Sequence, residues 1–189
     1  MNAAYSDPEL LQKTLELSKT FNLTTFFETG TFHGMSSQII SNYFDKVMTV
    51  ENNEEFYQIA VDNLKNINNC SIYFGNSPEI MDLNLKNNNS SIFFFLDAHW
   101  YDYWPILDEL EVIYKKSIQP VIAIHDFYVP DSNGNAKFSF DSYHDTALDF
   151  NYIKSSIDKI YDNKYEISYS TTSTTNSGVI FIYPQQSII

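Results

Sequence analysis

The chain has 189 residues, 43% of them apolar and 16% aromatic, which is enough for one domain with a sizeable core and excludes disordered and fibrous classes. Eleven lysines and no arginine stand against 24 acids, and the resulting charge of −13 repels phosphate backbones and anionic membranes, excluding nucleic acid and membrane surfaces as partners. Without arginine the planar fork that grips phosphate in two places is missing, so heavily phosphorylated substrates are also disfavoured.

From the amino end, Asp7 is an N-cap followed by proline at the first helical position, and Leu10, Leu11, Leu15 and Leu17 continue a helix within a 22-residue extension. Residues 24–28 are β-branched and aromatic and end at Gly30, a strand running into a tight turn. A short helix from Met35 to about Tyr43 follows. Lys46 to Glu51 reads as a second strand, and Asn53 to about Asn66 as a helix with Phe56, Ile59, Ala60 and Leu64 at helical spacing. Cys70 to Gly75 is a third strand, with a helix from Pro78 and a polar loop over 86–91 behind it. Cys70 is the one cysteine, so no internal disulfide forms, and a lone thiol reads as a small buried hydrophobe of a cytosolic protein.

The fourth strand spans 91–97, and its run Ile92-Phe93-Phe94-Phe95-Leu96 is continuously apolar, as a central strand covered on both faces requires. Trp104 to Lys115 forms a helix with Ile106, Leu107, Leu110, Ile113 and Tyr114 on one face. The fifth strand is Pro120 to His125. Residues 129–142 contain Pro130 and Asn133-Gly134 without periodicity and read as a lid loop over the sheet edge. A helix carrying Ile153, Ile157, Ile160 and Tyr161 comes next, then two strands, 165–171 and 178–183, joined at hairpin length. No repeat or linker divides the chain, so residues 1–189 are expected to form a single doubly wound α/β domain ending in an antiparallel pair. Met1 to Glu9 has no leader pattern and no apolar run is long enough for a bilayer, so a soluble cytoplasmic protein is expected.

Ligands of open parallel sheets bind beyond the carboxyl ends of the strands, against helix N-termini. Five such ends carry polar groups here: Glu28-Thr29-Gly30-Thr31-Phe32-His33-Gly34, Glu51-Asn52, Gly75-Asn76-Ser77, Asp97-Ala98-His99-Trp100 and His125-Asp126. Gly30 and Gly34 lack the G-x-G-x-x-G spacing of a dinucleotide fingerprint, and Glu28 before the turn favours a cationic ligand such as a sulfonium. Glu51 is placed to accept both hydroxyls of a ribose, the alternative being helix capping near Asn53. Asn76 is placed to accept from an adenine amino group, although a plain turn explains Gly75-Asn76-Ser77 equally well.

Together these segments, with the terminal strand pair, resemble the seven-stranded S-adenosylmethionine-dependent methyltransferases of class I, over nearly the whole chain. Glu28 to Ser36 matches their E-x-G-x-x-x-G-x-S, and the fourth and fifth strand ends are similar to small-molecule and sugar O-methyltransferases carrying D-G-D-H and H-D. The resemblance implies a Rossmann-like, mostly parallel seven-stranded sheet of order 3-2-1-4-5-7-6. It also implies S-adenosylmethionine as cofactor. The residues holding it would be Glu28, Gly30, Thr31, Gly34 and Ser36 at the first turn, Glu51 and Asn52 at the second, Asn76 and Ser77 at the third, and Asp97 at the fourth. This chain departs from the pattern in having Asp97-Ala98-His99, one acid fewer, and Asn76 in place of an acid.

Two chemistries remain open. In one, Asp97, Asp126 and His125 hold Mg²⁺ or Mn²⁺, which acidifies and orients an acceptor hydroxyl. In the other, His99 or His125 is a general base assisted by Asp126, suited by an imidazole pKa of roughly 6.5. Trp100, Tyr101, Tyr103 and Trp104 offer aromatic faces for a sugar or aromatic acceptor, or pack the following helix. The expected activity is methyl transfer to a hydroxyl of a small molecule, with carbohydrate the leading acceptor class. The rivals are a nucleotide-binding Rossmann-like protein and a non-catalytic module of the same fold. The oligomeric state is not legible.

Overall fold

A computed structural model of the chain describes residues 3–87, 91–98 and 103–186. A 3-10 turn, Ala4–Ser6, leads into α1 (Pro8–Thr20), where the Asp7 carboxylate accepts from the amides of Glu9 (2.9 Å) and Leu10 (3.2 Å) as the N-cap pattern requires. Strands and helices then alternate: β1 (Thr25–Thr29), α2 (Met35–Ile40), β2 (Lys46–Glu51), α3 (Glu54–Leu64), β3 (Cys70–Phe74), α4 (Ser77–Asn84), β4 (Ile92–Leu96), α5 (Ile106–Lys115) and β5 (Val121–Ile124). A two-stranded ribbon, β6 (Ser142–Tyr143) and β7 (Thr146–Ala147), precedes α6 (Phe150–Tyr161), and β8 (Tyr165–Tyr169) and β9 (Ile180–Pro184) close the chain.

The seven long strands form one sheet in the order β3-β2-β1-β4-β5-β9-β8, parallel except for the antiparallel pairs β5/β9 and β9/β8. Counting sheet strands alone, this is the expected 3-2-1-4-5-7-6. β4 sits in the middle with all five residues buried, which accounts for its unbroken apolar run. Phe27, Met48, Phe94 and Ile122 face a core closed by α4, α5 and α6. Phe26, Val47, Phe93 and Phe95 face a second core closed by the 3-10 turn, α1 and α2, into which Tyr5 inserts its ring 4.9 Å from Phe95. No helix among the described residues is long and apolar enough to cross a membrane.

Two local expectations change. α2 ends at Ile40 and only turns follow it. On α5 the inward positions are Ile106, Glu109, Leu110 and Ile113, while Tyr114 is 46% exposed, so the buried face takes in a carboxyl that the apolar spacing did not include and leaves out the tyrosine that it did. The loop over 129–142 is fastened by backbone bonds, one within it and two to residues outside it. Lys137 N–H donates to Val129 O (2.8 Å), Ser139 to Asn176 O (2.8 Å), and Asp141 to Asp126 O (2.8 Å), and the β6/β7 ribbon extends it. Cys70 is a free thiol of intermediate exposure, and burial pushes it up to about 12.

Candidate functional site

The helix following each parallel strand returns antiparallel to it, so β1 to β5 deliver their carboxyl ends, and α3 to α5 their amino ends, to one rim. That rim holds a cleft of about 90 Å³ lined by Gly30, Glu51, Asn52, Asn76, Ser77, Ala98 and Tyr103. A hollow of about 230 Å³ lies at the opposite end, lined by Phe21, Leu23, Pro120, Val121 and Pro184, and none of the polar strand ends reaches it. Size alone therefore does not mark the site; the chemistry sits at the smaller cleft.

The first turn is shaped by two glycines. Gly30 has φ +80°, and a Cβ on it would stand 2.4 Å from the carbonyl oxygen of Asp97, so only glycine lets β1 turn across the end of β4. Gly34, at φ +79°, opens α2 against the Leu64 side chain, 3.0 Å from where a Cβ would be. Thr31, between them, is buried and its hydroxyl lies 2.6 Å from that of Thr49. Ser36 is partly exposed on the first turn of α2, whereas its neighbour Ser37 turns inward.

Ser37 and Thr49 both donate to Glu28 Oε2, at 2.5 and 2.8 Å. The Glu28 carboxyl is only 1% exposed, and burial pushes its pKa up to about 8, with Asp97 and Glu51 adding to the rise. At neutral pH it is a protonated group beneath the turn, where the sequence reading had placed a negative charge before a cation. Thr49 is the missed partner, and its signal was a hydroxyl inside the otherwise apolar Val47-Met48-Thr49-Val50.

Glu51 behaves differently. It is 7% exposed, yet borders the cleft, and its carboxylate accepts from the amides of Phe32 (2.7 Å), Asn52 (3.0 Å) and Asn53 (2.9 Å). Those bonds hold the carboxylate plane still: Oε1 takes the Asn52 and Asn53 amides and Oε2 takes Phe32, so Oε2 retains a further lone pair. Capping of α3 falls to Asn53, whose Oδ1 accepts from Phe56 N–H at 3.1 Å. Asn76 precedes α4 but makes no side-chain cap bond to it. Its amide instead contacts the Tyr103 hydroxyl, which donates to Asp108 Oδ2 at 3.0 Å. Tyr103 thus joins the cleft wall, while Trp104 packs with its ring centroid 5.5 Å from that of Tyr152 on α6.

At the ends of β4 and β5, His125 Nδ1 lies 3.1 Å from Asp97 Oδ1 and 3.3 Å from Asp126 Oδ2. The three residues could offer ligand atoms within 4.8 Å of one another. Burial opposes the charged imidazole, but Asp97, then Asp126, outweigh it and hold His125 well above the ordinary histidine value. Asp126 takes φ +49°, a left-handed backbone that aims its carboxylate back at the ring. His99, Trp100 and Tyr101 lie outside the described residues.

A further carboxyl, Glu109, is 1% exposed below the cleft and accepts from the hydroxyl of Ser77, with the Thr29 hydroxyl also against it. Burial pushes it up to about 7. Its position three residues beyond Ile106 and one before Leu110 was the available signal. Charges along the helices follow their dipoles: Glu9, Glu54, Glu55, Glu79 and Asp108 occupy first turns, and Lys19, Lys115 and Lys159 last turns. The acids of α3, α4 and α5 therefore gather at the rim of the site.

No family model and no curated protein matches the chain. Solved structures do. The chain is similar to a Staphylococcus aureus protein assigned as a caffeoyl-CoA O-methyltransferase, with 19% identity, 92% of this chain and 82% of that one covered, and a TM-score of 0.59. It has 14% identity to a SAM-dependent methyltransferase from Aquifex aeolicus, with 93% of each chain covered and a TM-score of 0.60. Against the N-terminal domain of EvdMO1, whose structure was obtained with SAH and D-fucose, the values are 10%, 95% and 84% covered, and 0.58. The chain has the class I methyltransferase fold. That fold puts the cleft of Glu51 and Asn76 and the Asp97, His125 and Asp126 cluster on the rim where such sheets bind ligands.

Proposed function

We propose that the protein binds S-adenosylmethionine at the rim and transfers its methyl group to a hydroxyl of a small uncharged molecule, with a sugar the leading acceptor. The observation that carries this reading is the meeting of Asp97, His125 and Asp126 beside a cleft bordered by Glu51 and Asn76. In it, Glu51 accepts a ribose hydroxyl with the remaining lone pair of Oε2, and Asn76 meets the adenine edge next to Tyr103. Asn52 and Ser77 border the nucleoside, and the Gly30 to Gly34 turn lies along the methionine part. Glu28, Thr31 and Ser37 support that turn from below. The acidic rim favours a sulfonium cofactor and disfavours anionic acceptors such as acyl-CoA thioesters, and the D-fucose present with EvdMO1 agrees with a neutral one.

In the transfer, an acceptor oxygen attacks the methyl carbon in line with the C–S bond, whose electrons leave on sulfur. The hydroxyl proton passes to the protein. With Nδ1 turned to the two aspartates, His125 presents Nε2 as the proton acceptor once its ring is neutral, and Asp97 and Asp126 keep the ring oriented. Holding nucleophile and sulfonium in line supplies most of the acceleration, roughly 7–11 kcal/mol. The cluster also fits a divalent cation: Asp97, Asp126 and His125 would hold it, and its charge would acidify the acceptor hydroxyl. Two carboxylates with an imidazole suit Mn²⁺ better than Mg²⁺, which prefers oxygen donors.

Titration calorimetry with S-adenosylmethionine and S-adenosylhomocysteine tests the cofactor half, and the absence of binding to both rejects it. Methyl transfer to a panel of sugars and phenols, with and without Mg²⁺ or Mn²⁺, tests the rest. His125→Ala is expected to abolish turnover while cofactor affinity persists.

A further inference from the structure

We infer that Glu109 is a positioning residue that ties the nucleoside end of the cleft to the catalytic end through a hydrogen bond from Ser77 and a polar contact with the Thr29 hydroxyl. The inference rests on the methyltransferase reading for what the two ends do, and on geometry alone for the tie itself.

Glu109 is the polar exception on the inward face of α5, among Ile106, Leu110 and Ile113, and it is 1% exposed. An acid in such a place persists only where its oxygens are satisfied, and two buried hydroxyls supply that. Ser77 Oγ donates to Glu109 Oε1, and Ser77 is the first residue of α4, directly after Asn76 in the cleft wall. The Thr29 hydroxyl, at the last residue of β1, lies against the same carboxyl. Thr29 Oγ1 in turn accepts from the Asp97 amide at 3.3 Å, and the same amide also donates to Thr29 O at 3.1 Å. A run of polar contacts therefore leads from the α4 amino end through Ser77, Glu109 and Thr29 to the backbone of Asp97, joining α4, α5, β1 and β4.

Ser77 is the donor toward Glu109, and Thr29 Oγ1 is the acceptor of the Asp97 amide, which leaves its hydroxyl hydrogen for the carboxyl beside it. A glutamine at this position keeps a carbonyl oxygen of the same reach, whereas a leucine keeps the volume and removes the acceptor. Without the acceptor, Ser77 and Thr29 are left buried without their partner, and each can reorient. The nucleoside side then shifts through Ser77 and the Asp97 side through Thr29.

The test compares Glu109→Gln, Glu109→Leu and Ile113→Ala, the last destabilising the same helix without touching the chain of bonds. Glu109→Leu is expected to weaken S-adenosylhomocysteine binding by about tenfold or more, and Glu109→Gln by about threefold or less. Ile113→Ala should lower the melting temperature and leave affinity unchanged. Ser77→Ala and Thr29→Val separate the two arms: the first should raise the cofactor KM, and the second should lower kcat. Equal affinity in Glu109→Leu and wild type, or an equal loss of affinity in Ile113→Ala, overturns the inference. Should Glu109→Leu fail to fold, the same pattern of KM and kcat effects in both single-arm variants overturns it. Amide exchange at Asp97, faster in Glu109→Leu than in Glu109→Gln, reads the tie without any ligand. If wild type binds neither cofactor form, the methyltransferase reading falls, and exchange at Asp97 still decides the role of Glu109.

Discussion

Replacing Glu28 by glutamine isolates the effect of one buried acid on the stability of the whole domain. Burial raises this carboxyl from 4.5 to about 8, with Asp97 and Glu51 contributing, while Ser37 and Thr49 pull the other way. Over that interval the native chain holds a proton that the unfolded chain has released, so stability falls as pH rises. The contribution is fully present below 4.5, declines by about 1.4 kcal/mol per pH unit, and is gone above about 8, a total of about 5 kcal/mol. Glutamine stays neutral throughout and can still accept from Ser37 and Thr49, so Glu28→Gln should lack this share of the slope. The slopes from Glu109 and His125, whose native pKa values are also raised, are common to both proteins and cancel in the difference. Urea denaturation followed by tryptophan fluorescence at several pH values between 4.5 and 8.5 measures it. The variant should gain on wild type steadily as pH rises, by about 5 kcal/mol in all. Stability curves that run parallel across the interval refute the reasoning, because they mean Glu28 titrates alike in both states.

Three further outcomes are expected. Glu51→Ala should weaken S-adenosylmethionine binding by about tenfold or more in calorimetry and also lower the melting temperature, because the amides of Phe32, Asn52 and Asn53 lose their acceptor; an unchanged affinity rejects the ribose role. Gly30→Ala should cost about 2–4 kcal/mol in chemical denaturation, since it combines φ +80° with a 2.4 Å approach to Asp97 O; a loss under 1 kcal/mol would show that β1 can turn without that contact. Glu9 accepts from the amides and hydroxyls of both Thr171 and Thr172, and its pKa is lowered to about 2 because these bonds outweigh its desolvation. Its stabilising share is present above 4.5 and is lost as pH falls toward 2, so Glu9→Ala should be less stable than wild type at neutral pH and converge with it in acid.

Much of the architecture follows from short-range signals. Asp7 and Pro8 start α1, Asn53 starts α3, and the period-two and period-3.6 runs separate strands from helices because each pattern reports on neighbours within a turn or two of backbone. The unbroken apolar run of β4 also places that strand in the middle, since only a strand covered on both faces tolerates it. Those signals were enough to send attention to the strand ends. They could not say which acid turns inward. Glu28 and Glu51 each stand at or beside a strand's last residue, yet Glu28 lies under the sheet against Ser37 and Thr49 while Glu51 borders the cleft.

Tertiary structure decided the rest, because it depends on partners far apart in the chain. The bonds joining Asp97 to His125 and Glu109 to Ser77 span 28 and 32 residues, and the one between Thr29 and the Asp97 amide spans 68. No local periodicity carries that information. It arises only when β1, β4 and β5 lie side by side in parallel and α4 and α5 return over one face, so that strand order brings their ends to a common rim. Composition and pattern thus determined the elements and the edge at which ligands should meet them. Packing alone determined which side chains at that edge stay charged and face solvent, and which are drawn into the core as protonated or hydrogen-bonded supports.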